Sequence, residues 1–235
     1  MNREFTNRIR FILEELLPPV LRDSAPMRWL FRRHWGHLVD DVEAFRARAH
    51  HVSDEEYAAI YSAMPRIHEE TDLSDACIAR IVDSLEGPNV LDVGCGTGIL
   101  LQRIQAAQRP GVDTLAGVDF QIDATVREAL SGLRLEESKI ERLPFGDAEF
   151  DTVICTHVLE HILDIRAAVA ELRRVCRRRL IIVVPKEREY RFTFNPHLHF
   201  FAYPHSFLRH MLPVPIDADC EQIGRDFFYT ESMQR

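Results

Sequence analysis

Residues 90–98 read Val-Leu-Asp-Val-Gly-Cys-Gly-Thr-Gly, and this stretch limits the possible folds more than any other in the chain. The apolar run of Val90, Leu91 and Val93 suits a buried parallel strand. Gly94, Gly96 and Gly98 then permit a sharp turn and a close approach to a ligand with no Cβ in the way. The next residues, from Ile99 to Ile104, read as a helix whose free N–H groups point back at the same pocket. Asp92 sits just before the turn, where a carboxylate can face a cationic or hydrogen-bond-donating ligand. Together these pieces describe a nucleotide-type cofactor site at the carboxyl end of a sheet. The spacing is G-x-G-x-G. A dinucleotide fingerprint would need its third glycine at position 99, which is Ile99, and no G-K-[ST] follows to make a P-loop.

The rest of the chain alternates around that turn. Strands fit 89–93, 114–119, 152–156 and 180–184, and helices fit 99–107, 122–130 and 165–175, which together mean a parallel sheet with helices on both faces. Two closing strands fit between Asp219 and Ser232, around Phe227-Phe228-Tyr229. The first 86 residues read as helical throughout: Phe5 to Leu17 stopped by Pro18-Pro19, then 27–48, 53–64 and 74–85. Ser53 and Glu56 have capping-box spacing, and Gly87-Pro88 breaks the chain before the first strand. The expected division is a helical cap over 1–86 and a cofactor-binding domain over 87–235, with a substrate loop at about 186–206. At 235 residues, one well-cored α/β domain with an appendage fits better than two independent domains.

Three further segments complete the pattern. Leu115-Ala116-Gly117-Val118-Asp119 is a second strand ending in an acid about 20 residues past the turn, where a carboxylate reaches ribose hydroxyls. Glu141 to Asp151 contains Leu143-Pro144-Phe145 and Phe150-Asp151, and a strand then leads into Val158-Leu159-Glu160-His161. With the glycine turn, these segments resemble the class I S-adenosylmethionine (SAM)-dependent methyltransferases, and in particular the type 11 methyltransferase group, over about Asn89 to Pro185. The resemblance implies a doubly wound, mostly parallel seven-stranded sheet of Rossmann-like methyltransferase type, with SAM as cofactor. It implies that Gly94, Cys95 and Gly96 line the methionyl part, with Asp92, Thr97 and Gly98 beside it. Asp119 then holds the ribose, Phe120 lies along the adenine, a backbone N–H at Ile140 meets the adenine ring, and Thr156 lies by the sulfonium end. Lys139 stands where the family often has an acid that reads the adenine amino group, leaving backbone alone or Glu141 for that role. Arg177-Arg178-Arg179 replaces the usual glycine-rich turn before the fifth strand, away from the cofactor.

Methyl transfer to a weak nucleophile needs a base, and histidine suits that task near neutral pH. His157 and His161 flank the end of the fourth strand, with His199 as second choice, so these three are the candidate catalytic residues. The segment Tyr190 to His205 is dense in aromatics and histidines and suits a ring-bearing or sugar acceptor. No metal is expected, because no carboxylate or cysteine lies among His197, His199 and His205. The expected function is methylation of a small-molecule or glycan-type acceptor, at oxygen first. The alternatives are N- or C-methylation of a small metabolite, or a non-catalytic SAM-binding subunit. A net charge of −8, and Thr156-His157-Val158-Leu159 where base-methylating enzymes carry an N/D-P-P-Y/F signature, argue against nucleic acid. Five cysteines without a C-x-x-C pair, and a start lacking a signal-peptide core, point to a reducing, cytoplasmic setting. No stable membrane insertion is expected, and the N-terminal helices offer a possible homodimer surface.

Overall fold

The computed structural model describes residues 11–53, 56–57, 71–192 and 196–233. They fall into two compact units. One comprises Met1–Glu69 with Glu187–Ala202, and the other Glu70–Lys186 with Tyr203–Arg235. This differs from the expected division, because the aromatic segment after the fifth strand joins the helical unit.

The larger unit is built on seven strands: β1 (Asn89–Val93), β2 (Thr114–Asp119), β3 (Arg134–Glu137), β4 (Phe150–Thr156), β5 (Cys176–Pro185), β6 (Asp219–Ile223) and β7 (Asp226–Ser232). Their order is β3-β2-β1-β4-β5-β7-β6. The first five run parallel, and β7 pairs antiparallel with both β5 and β6. The expected mostly parallel, seven-stranded sheet is present. β5 shows why both faces are covered: Leu180 to Val184 are all buried, a run that only a sheet packed on both sides can accommodate. On one face Ile181 and Val183 join Val90, Ile154 and Phe228 against Cys77, Ile78 and Ile81.

β3 is not evident from the sequence pattern. It is short, carries Arg134, Glu136 and Glu137, and lies at the sheet edge, where charge rather than an apolar run blocks further pairing. The two closing strands formed, with Phe227, Phe228 and Tyr229 buried on β7.

In the helical unit, the single helix expected over 27–48 is two, α1 (Ala25–Trp35) and α2 (Leu38–Arg48). Gly36 between them has φ +63°, and its N–H closes the first helix on the Arg32 carbonyl. Ser24 caps α1 by accepting from the Met27 N–H. The chain turns extended at Leu17, just before Pro18-Pro19 as expected, while the start of that helix lies outside the described residues. Ser53 and Glu56 exchange both capping-box hydrogen bonds, and most of the helix expected to follow lies outside the described residues. Leu13, Phe31 and Val39 pack with Phe192 from the aromatic segment. Arg22 donates to the Glu189 carbonyl, and Arg46 donates to the carbonyls of Tyr190 and His197. Arg46 also stacks 4.6 Å over Phe200. Tyr190, Phe192 and Phe201 are therefore core residues of this unit.

The larger unit adds α3 (Asp75–Ser84), α4 (Ile99–Ala107), α5 (Ala124–Ala129), α6 (Ile165–Val175) and α7 (Pro204–Leu208). Ser74 and Asp164 cap α3 and α6 through the N–H groups of Cys77 and Ala167. Helix α6 passes straight into β5 at Cys176, so Arg177, Arg178 and Arg179 are strand residues and not the turn expected there. Carboxylates hold them: Arg177 and Arg178 face Asp151, and Arg179 pairs with Glu86.

Candidate active site

The carboxyl edge of the sheet is shaped by the turn after β1. Gly94 and Gly96 adopt φ +79° and +50°, the left-handed region that disfavours a side chain. The N–H groups of Gly94 and Cys95 both donate to the Val118 carbonyl, tying the turn to β2. A Cβ on Gly94 would lie 2.1 Å from Val158 Cγ2, so the segment after β4 packs directly on this turn. A Cβ on Gly96 would meet nothing closer than the Gly94 carbonyl at 3.9 Å, so the turn is open on that side. Gly98 begins α4, and Leu100, Leu101 and Ile104 anchor that helix in the core.

Two acids flank the turn. Asp119, at the end of β2, accepts from the Gly96 N–H at 2.7 Å and from the Gln121 N–H at 3.4 Å. Asp92 is buried, and its Oδ1 has no hydrogen-bond partner among the described residues. Burial first, and then the charge of Asp119, pushes the Asp92 carboxyl up to about 7. An unpaired buried carboxylate costs free energy by itself and is satisfied by a cation or donor brought in from outside. Beside it, Cys95 is buried, and burial with the neighbouring acids raises its thiol well above the ordinary range, so it fills space and is not a reactive thiolate.

The other expected cofactor residues sit on the same unit. Thr97 belongs to the turn, Phe120 follows β2 with 43% of its surface exposed, and Ile140 is buried with half-buried Glu141 next to it. Thr156 is the last residue of β4, paired with Val183. An open glycine turn, an orphaned acid, an exposed ring face and a strand-end acid fit a cofactor with a cationic amino-acid end and a nucleoside end.

The three candidate histidines are divided between the two units. His199 belongs to the helical unit, where His197 lies 2.7 Å from Glu187, while His157 and His161 are on the sheet unit. His157 has φ +54°, its ring Nε2 is 3.3 Å from Asp226 Oδ1, and its Nδ1 is 3.7 Å from Glu160 Oε1. Burial alone would lower its pKa. Contact with Asp226 and the charges of Glu160, Asp226 and Asp72 outweigh that and raise it to about 9. With both ring nitrogens facing carboxylates, the protonated ring is the favoured form. His161 is half-buried in the short turn Leu159–His161.

Glu160 and Asp226 are functional candidates that the sequence does not single out. Glu160 stood in plain view in Val-Leu-Glu-His, but nothing in the sequence shows that it is fully buried. Asp226 carries no motif at all. Only the antiparallel register that sets it opposite Pro185 brings it to the carboxyl edge.

The family model described as "Methyltransferase domain" matches residues 91–184. A ubiquinone biosynthesis O-methyltransferase from Methylococcus capsulatus is 31% identical over 146 residues, which are 59% of this chain and 57% of that protein. The chain spans about half the length of the curated relatives it matches. Among solved structures, a SAM-dependent methyltransferase from Archaeoglobus fulgidus superposes with TM-score 0.53 at 16% identity, covering 66% of this chain and 91% of that one. The PH0226 protein of Pyrococcus horikoshii gives TM-score 0.54 at 16% identity, covering 75% and 99%. At such identities the structural likeness is one of fold. Residues 91–184 are thus similar to a methyltransferase domain, and the seven-stranded sheet shares its fold with a SAM-dependent methyltransferase.

Proposed function

We propose that the protein transfers a methyl group from SAM to a small-molecule acceptor, with oxygen as the favoured atom. The observation that carries this reading is Asp92, a buried acid with an unpaired oxygen beside an open glycine turn. The names of two relatives, the ubiquinone biosynthesis O-methyltransferase and the O-methyltransferase cnsE of Penicillium expansum (35% identical over 98 residues), support oxygen as the acceptor. When bound, SAM supplies an electrophilic methyl group on a sulfonium.

The chain's own residues bind, orient and exclude water. Asp92 and Asp119 present negative charge to the methionyl and ribose ends, Cys95, Thr97 and Gly98 complete the turn, and Phe120 offers a ring face to the adenine. Ile140 closes the apolar side with Glu141 at its edge, and Thr156 stands at the end of β4. Orientation at a pre-activated carbon supplies most of the rate enhancement in such a displacement. Because both ring nitrogens of His157 already face carboxylates, His161 is the better of these two histidines to accept the acceptor's proton.

Calorimetry with SAM and with S-adenosylhomocysteine (SAH) tests the cofactor assignment; micromolar binding is expected, and no binding to folded protein overturns it. With an acceptor in hand, His161→Gln should lower kcat on the order of 100-fold while leaving SAM affinity unchanged. An unchanged kcat removes His161 from proton transfer.

A further inference from the structure

We propose that His157 is a positioning residue: gripped between Asp226 and Glu160, it fixes the turn after β4 so that Val158 stays seated on Gly94 and the cofactor turn keeps its shape. The proposal rests on reading the glycine turn as the SAM site.

His157 follows directly on β4, and its N–H donates to the Val183 carbonyl at 2.9 Å, adding one more rung to the β4–β5 ladder. It does so at φ +54°, a conformation that costs a side-chain-bearing residue free energy and persists only when its surroundings impose it. Those surroundings are three acids from three parts of the fold. Asp226 opens β7, Glu160 lies in the turn Leu159–His161, and Asp72 precedes α3. The side chains of Asp226 and Glu160 are 8% and 0% exposed, so neither is relieved by water. Take away the imidazolium and buried acids face one another with no cation between them, an arrangement that must open or take up protons. From α3, the Cys77 thiol also faces Asp226 and remains protonated, its pKa pushed up to about 12 chiefly by burial.

The mechanical consequence runs through one residue. Val158 follows His157, and its Cγ2 occupies the space that a Cβ on Gly94 would need. The turn closes behind it through the His161 N–H, which donates to the Val158 carbonyl at 2.9 Å. A shift of His157 therefore moves the side chain that covers the first glycine of the cofactor turn, and moves His161 with it. Close-packed contacts transmit such shifts instead of absorbing them.

The test measures SAH affinity and thermal stability side by side. His157→Asn keeps a residue that tolerates positive φ and removes the cation. Asp226→Asn removes one jaw of the grip while leaving the histidine in place. Each single variant should weaken SAH binding about tenfold, and the double variant should be little worse than either, because the two act as one unit. Glu231→Gln is the control: Glu231 is equally buried on the same strand but pairs with Arg173, so it should lower the melting temperature and leave SAH affinity at the wild-type value.

Wild-type affinity in His157→Asn overturns the proposal, as does a loss of affinity in Glu231→Gln as large as its loss of stability would suggest. If the wild-type protein binds neither SAM nor SAH, the cofactor reading fails and takes this inference with it. Binding by wild type with no change in the variants sinks the inference alone.

Discussion

The two edges of the sheet treat buried carboxylates in opposite ways. At the amino edge Asp151 is fully buried, yet Arg177, Arg178 and the Asn89 N–H all reach it. Glu86 takes Arg179, and toward the same side Glu231 takes a two-pronged grip from Arg173 with the Tyr229 hydroxyl added. At the carboxyl edge Asp92 has an unpaired oxygen, Glu160 has no hydrogen-bond partner for either oxygen among the described residues, and one histidine lies within ion-pair distance of both Glu160 and Asp226. One fold contains both solutions, so burial by itself does not explain the unpaired acids. Acids at the amino edge are satisfied within the protein and hold it together. At the other edge the charge is left partly unmet, at a cost in stability, where a ligand can meet it.

That contrast can be broken most directly at Asp92 and Asp119. Asp92→Asn and Asp119→Ala should each weaken SAM binding at least about 100-fold by calorimetry, about 2.7 kcal/mol, with little or no fall in melting temperature. A large drop in stability would make these acids structural, like those of the opposite edge. Asp151→Asn should do the reverse, costing roughly 2 kcal/mol in denaturant melts while SAH affinity stays at its wild-type value.

Proton linkage sharpens the comparison. The Asp92 carboxyl is raised from 3.8 to about 7, so the folded protein keeps that proton longer than the unfolded chain. Stability should therefore fall as pH rises from about 4 through 7, and Asp92→Asn should flatten this slope. SAM affinity should fall about tenfold between pH 8 and pH 6 as the carboxylate is lost, and a flat profile would exclude Asp92 from binding the cation. His157 is raised from 6.5 to about 9, so its favourable charge pairing is complete below 6.5 and lost as pH rises through about 9. A melting temperature that declines between pH 7 and pH 10, with a weaker decline in His157→Asn, is the expected result. The smallest effect belongs to Phe120→Ala, where loss of a stacking face should weaken SAH binding by about two- to tenfold.

Much of this site was legible in the chain. Val90 to Gly98 shows strand, turn and helix within a few residues because every constraint there is local: burial, positive φ and the start of a helix. Asp119 was legible because a parallel strand of known length must end at the same edge. β3 was not, since three of its four residues are charged and only the neighbouring β2 makes them a strand. The helix break at Gly36 was hidden by apolar spacing that continues on both sides of it.

The sequence by itself determined the class of the sheet, the glycine turn and the acids that flank it, because short-range sterics and hydrophobic periodicity specify them. Only the tertiary structure decided what the remaining charged and aromatic residues do. It moved Tyr190, Phe192 and Phe201 into the core of the helical unit, placed Arg177–Arg179 opposite Asp151 and Glu86, and brought Asp226 to His157. Charge pairing acts over a few ångströms of space between residues far apart in the chain. The register of β7 against β5, which no local pattern encodes, set Asp226 within 3.3 Å of the His157 ring.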